Sequence, residues 1–243
     1  RAHRGAHSVA STRTGPPSRT PSMIALLMLA LLAATAMRVL IGGANVASSL
    51  PAALAFSALA LITVITARSR VFVRSAGPVD AGTADLAAAA GTTGVDAARR
   101  GARVTTRAVN NHVIRDVAVG SAGAALILGA WLSAGAPLPL HATRHLVALA
   151  WWTPVVIAVA ITEEALLRGA LFSALTRRYN AYVALLITSL VFGVMHVPLY
   201  GWAAVPLDVT GGVLLGGLRM LTGGVAAPAV AHALTDVAAG WLG

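Results

Sequence analysis

Val155-Val156-Ile157-Ala158-Val159-Ala160-Ile161-Thr162-Glu163-Glu164-Ala165-Leu166-Leu167-Arg168 is the stretch that decides the fold of this chain. An unbroken apolar run leads into two adjacent carboxylates, the only glutamates among the 243 residues. At the centre of a membrane helix an ionisable side chain costs about 2.5–3.5 kcal/mol on insertion scales, so a pair kept there marks a functional site by default. The competing reading is a carboxylate paired off for helix packing, and Arg168 offers the partner.

The composition around this stretch agrees with a bilayer. Hydrophobic residues make up 57% and charged residues 11%, with a mean hydropathy of +0.78, whereas soluble domains are about a quarter charged. The expectation is an all-α, polytopic transmembrane helix bundle of about seven spans. Cysteine is absent, which removes disulfides, a thiolate nucleophile and cysteine metal sites. The net charge of +10 comes from 18 arginines with no lysine. With heavy Ala and Gly use, that reads as a GC-rich coding bias and a multi-pass protein of a bacterial cell membrane. The arginines flank apolar spans as topology signals do, so no nucleic acid is expected as a partner.

Residues 1–22 read as a disordered basic tail, and Met23 is a sensible true start. Two spans follow within 23–67, about Met23–Ile41 and Leu50–Ala67, with Arg38 near enough to its span end to snorkel. Ala33-Ala34-Thr35-Ala36 has the look of a signal cleavage site, but the further spans favour a retained anchor. An Arg-rich loop over 68–115, low in complexity at Ala87–Ala90, is placed in the cytoplasm. The core, 116–243, holds span three (about 116–134), a break at Gly135-Ala136-Pro137-Leu138-Pro139, span four (about 145–175, with Trp151 and Trp152 as interface anchors), and spans five to seven (about 181–197, 203–220 and 224–241).

The deep polar groups of these last spans converge on paper. Glu163 lies 16 residues before Tyr179, where spans four and five turn, and His196 lies 17 after it. At about 1.5 Å per residue the two sit at matching depth. His232 falls near mid-membrane in span seven, with Asp236 at i+4 on the same face. Adjacent glutamates point about 100° apart on a helix. Glu164 with Arg168 at i,i+4 is therefore the orienting ion pair, and Glu163 is left to face the two histidines. A carboxylate and two imidazoles, without cysteine or a serine elbow, fit hydrolysis by activated water. Glu163 is then the general base, His196 assists, and His232 with residue 236 stabilises the oxyanion. Phe192, one turn before His196, packs so as to orient the imidazole.

Glu163-Glu164-x-x-x-Arg168, Phe192-x-x-x-His196 and His232-x-x-x-Asp236 resemble, in order and spacing, the motifs of the CPBP membrane proteins. These are the CAAX-protease-like intramembrane glutamic endopeptidases. The resemblance covers about 145–241 and implies the same roles, without a metal or other cofactor, and a site reached from the cytoplasmic side. Its substrate would be a peptide or a membrane protein within the lipid. The prenylated CAAX substrates of eukaryotic relatives are not implied for a bacterial protein. One position departs from the pattern: the family's last motif usually ends in Asn, and this chain has Asp236. An ionised Asp cannot donate to an oxyanion, so that role requires Asp236 to be held protonated by apolar surroundings. Three alternatives stand beside this reading: a zinc hydrolase with Glu163, His196 and His232 as ligands, a non-enzymatic scaffold or immunity protein, and a transporter. Gly212 and Gly216 are read as a helix contact, and His112, His141 and His145 as bystanders.

Overall fold

The computed structural model describes residues 20–43, 49–75, 94–133 and 146–242. Among these every regular element is helical: α1 (Thr20–Gly42), α2 (Leu50–Ser75), α3 (Gly94–Ser133), α4 (Leu146–Glu164), a π-helical segment (Ala165–Leu171), α5 (Phe172–Arg178), α6 (Ala181–Met195), the short α7 (Val197–Tyr200), a 3-10 turn (Trp202–Ala204), α8 (Val205–Thr222) and α9 (Ala226–Leu242). The tail before Thr20, Ala87–Ala90, the linker at 135–139, His141 and His145 lie outside the described residues. His112 is exposed on α3.

Five helical stretches are long and apolar enough to cross a bilayer: Met23–Gly42, Leu50–Arg68, Asn111–Ser133, Ala181–Tyr200 and Trp202–Thr222. The two other expected spans are α4, which runs through the glutamates into the π segment, and the 17-residue α9. Two boundaries differ from the sequence reading. α2 continues to Ser75, and α3 begins at Gly94, so the second half of the expected 68–115 loop is helix. Polarity read as loop, but Gly94–Ser133 contains no proline and is rich in Ala and Arg, which favour helix whether or not lipid surrounds them.

Helix α1 packs on α2, α3 on α9, α6 on α8, and α9 on α4. Leu31, Phe56, Leu166, Leu167, Leu171 and Phe192 form the buried core. Leu26, Leu29, Leu61, Ile65, Leu186 and Leu190 face outward, as lipid-facing positions should. Helices α6 and α8 approach closely: a Cβ at Gly212 would stand 2.9 Å from Ser189 Cα, so the Gly212/Gly216 face is a helix contact. Basic groups gather at one end of the bundle. Arg177 reaches Met23 Sδ at 3.6 Å, and Arg115 donates to the Thr222 carbonyl at 2.9 Å, closing the end of α8.

Asn180 caps α6 by accepting the Val183 N–H at 2.9 Å, which fixes the turn expected at Arg178-Tyr179. At the other end of α6, Pro198 follows His196 by two residues, and the helix ends at Met195. The π segment was not legible in the sequence. Its wider turn lets the Arg168 carbonyl accept from Arg219 Nε at 3.0 Å. Single π turns of this kind recur at functional sites.

Candidate active site

Helix α4 ends on Glu163 and Glu164, and the two carboxylates are held in opposite ways. Glu164 Oε1 accepts from Arg168 Nη1 at 2.8 Å and from His232 Nδ1 at 3.0 Å. Arg168 also donates to the Gly212 carbonyl at 3.1 Å and sits 4.7 Å from the centre of the Phe192 ring. Glu164 and Arg168 side chains are both fully buried. Glu163 is nearly as buried but makes no contact this short. Its Oε2 lies 3.9 Å from His196 Nε2 and 3.9 Å from His232 Nε2, and its Oε1 lies 3.6 Å from Arg38 Nη1. Oε1 has no hydrogen-bond partner. One carboxylate is locked by charge-assisted hydrogen bonds; the other keeps its lone pairs available.

The local fold sets the imidazole orientations. As α6 ends, the His196 backbone N–H bonds to the Gly193 carbonyl at 3.3 Å. The Phe192 carbonyl then accepts His196 Nδ1 at 2.7 Å. A carbonyl only accepts, so Nδ1 carries the proton and Nε2 of the neutral ring presents a lone pair towards Glu163. Phe192 wedges both rings, at 4.5 Å from His196 and edge-on at 5.3 Å from His232, while Tyr200 stacks parallel to His196 at 5.8 Å. Two acceptors 3.9 Å apart are close enough for one water to hydrogen-bond to both. That arrangement can pull a proton from water.

His232 spends its Nδ1 proton on Glu164, so Nε2 donates when the ring carries both protons. Nε2 also lies 3.4 Å from Asp236 Oδ2, and the Asp236 side chain is 40% exposed. An i,i+4 spacing on α9 brings its carboxyl group against the imidazole.

All seven residues singled out in the sequence meet in one place: Glu163, Glu164, Arg168, Phe192, His196, His232 and Asp236. Glu163 and His196 still meet across spans four and five, although the π segment lies between Glu163 and the turn. Glu164 does more than pair with Arg168, since it also grips His232. Two further groups were missed. Arg38 turns inward from α1 and is 8% exposed, where snorkelling to the interface was expected. Its signal was present, as the lone charge in an otherwise apolar span. Asp208, at the start of α8, has a buried Oδ2 without a partner and lies within electrostatic range of His196 and Asp236. Among the described residues, no three His, Asp or Glu side chains are grouped to hold a metal ion.

Residues 145–238 match the family model described as type II CAAX prenyl endopeptidase, Rce1-like. No curated protein and no solved structure matches the chain. The matched segment contains all seven residues above and agrees with the CAAX-protease-like resemblance. Together with the five membrane-capable helices, it supports an integral membrane protease. Arg38 lies outside it.

Proposed function

We propose that the chain is an intramembrane endopeptidase that hydrolyses a peptide bond with water activated by Glu163 and His196. The observation that carries this reading is the facing of Glu163 Oε2 and His196 Nε2 across 3.9 Å, two acceptors brought from separate helices. Glu163 takes the proton of the water as its oxygen attacks the scissile carbonyl, and afterwards returns a proton to the departing amine. His196 accepts the second water hydrogen and fixes the direction of attack. His232, with Nε2 3.9 Å from Oε2, and residue 236 supply the N–H or O–H that stabilises the oxyanion. Glu164 and Arg168 hold His232 in place. The substrate is a peptide or membrane protein presented within the bilayer.

The test is cleavage of a peptide library by purified protein, with wild type set beside Glu163→Gln, His196→Gln and His232→Gln. Each change is expected to lower turnover by about 10²-fold or more. Near-normal cleavage by all three variants overturns the reading. Repeating the assay after chelation separates a metal-free site, which keeps its activity, from a zinc hydrolase, which loses it.

Asp236 supplies an independent check. An amide donates a hydrogen bond without needing an added proton, so Asp236→Asn is expected to keep activity within about tenfold of wild type. Asp236→Ala removes the donor and is expected to lose roughly 10²–10³-fold, the usual effect of one oxyanion contact. Loss of turnover in Asp236→Asn would show that the carboxylate itself is required, as partner to His232 across their 3.4 Å contact.

A further inference from the structure

Arg38 stands where a membrane helix has no structural need of it. Gly42 closes α1 only four residues later, and from that position a guanidinium can reach the polar interface by extending along the helix. It turns inward instead. The side chain is 10% exposed, and its guanidinium lies 5.7 Å from the centre of the buried Phe56 ring of α2. Its Nη1 is 3.6 Å from Glu163 Oε1. Burying an arginine in a bilayer costs about 2.5–3.5 kcal/mol on insertion scales, and cation–π contact returns about 0.5–2 kcal/mol. The remainder needs the carboxylate.

We propose that Arg38 is a positioning residue for Glu163, so that the first helix, outside the segment matched to the protease family, completes the active site. The inference rests on Glu163 acting as the base. Arg38 attracts Oε1 while both imidazoles flank Oε2, and this division turns one oxygen of the carboxylate towards the water site. The 3.6 Å separation is longer than the 2.7–2.9 Å of a charge-assisted hydrogen bond. The carboxylate is thus oriented by charge without having a lone pair consumed. Glu164, with contacts of 2.8 and 3.0 Å, is held in the way that would disable a base. Phe56 supports the guanidinium from behind. Arg38 Nε, Thr35 Oγ1 and Ser57 Oγ are all buried without hydrogen-bond partners, so the α1–α2 pair carries three unfilled polar atoms.

The test is steady-state cleavage by the full chain carrying Arg38→Gln, Arg38→Lys or Arg38→Ala, each checked for a monodisperse, cooperatively unfolding protein. Misplacing a catalytic group by about 1 Å costs on the order of 10²-fold, so Arg38→Gln is expected to lose about that much in kcat with KM nearly unchanged. Arg38→Lys retains the charge and should recover at least tenfold over Arg38→Gln. Guanidinium ion at sub-denaturing concentration should raise the turnover of Arg38→Ala, whereas urea, its neutral isostere, should not. A packing role would respond to both additives or to neither, and would not distinguish Lys from Gln. The proposal is overturned if Arg38→Gln turns over like wild type, if Lys and Gln are equally impaired, or if urea rescues as well as guanidinium. Should Arg38→Gln fail to fold, the Lys variant and the additive comparison decide alone. If Glu163→Gln cleaves normally, the base assignment fails. If Glu163→Gln is inactive and Arg38→Gln is normal, only the role of Arg38 fails.

Discussion

Glu163→Gln is expected to lower kcat by about 10²–10⁴-fold, the usual contribution of a positioned general base, while leaving KM and the fold nearly intact. The substitution keeps the shape of the side chain and removes only its basicity. The fold should tolerate it because Glu163 makes no hydrogen bond of ordinary length: its nearest charged partners are 3.6 and 3.9 Å away. Loss in kcat with constant KM is the pattern of an interaction made only in the transition state. The contrast with the neighbouring position sharpens the test. Glu164→Gln keeps one acceptor for Arg168 or His232 but withdraws the charge that both bonds use, so it should lower stability as well as rate. Single-turnover cleavage and thermal unfolding of the two variants, measured side by side, distinguish a base from a brace. Glu163→Gln with a kcat within threefold of wild type would end the assignment of Glu163 as the base.

The sequence made the catalytic half of the molecule legible because its polar groups are scarce. In a chain with two glutamates and a few deep histidines, each ionisable residue in an apolar span carries information. Helix rise converts its sequence position into depth. Rotation was harder to read. The π segment at Ala165–Leu171 changes the number of residues per turn directly after the glutamates, and no local composition announces it. A regular helix had assigned Glu164 to Arg168 alone, whereas its bond to His232 links two elements 68 residues apart and depends on how α4 and α9 cross. Arg38 was misread for a related reason. Proximity to a helix end says that an arginine can reach the interface, and only the position of α1 against the glutamates shows that it does not. The Arg-rich region before span three was misjudged because polarity separates lipid from water, not helix from loop.

Replacing Arg168 by Met is expected to destabilise the bundle by about 3–5 kcal/mol, the cost of leaving one partner of a buried ion pair without the other. Arg168 joins three helical elements: it holds Glu164 at 2.8 Å, donates to the Gly212 carbonyl of α8 at 3.1 Å, and covers the Phe192 ring of α6 at 4.7 Å. Met fills much of the volume, so the loss would come from the charge rather than from a cavity. Magnitude separates two accounts of the pair. Polar contacts between membrane helices average about 0.6 kcal/mol, and a loss of that size would make Glu164–Arg168 an ordinary contact. A loss several times larger means that Glu164 has been stranded as an anion with only His232 to balance it. The double change Glu164→Gln with Arg168→Met removes both charges and should regain much of the stability without regaining activity, because His232 then lacks its carboxylate. Arg168→Lys should fall between the two: an ammonium reaches Glu164 but cannot bridge to the Gly212 carbonyl as the planar fork does. Unfolding titrations in mixed detergent report these differences directly. Arg168→Met within about 1 kcal/mol of wild type would show that the pair neither braces the helices nor fixes His232.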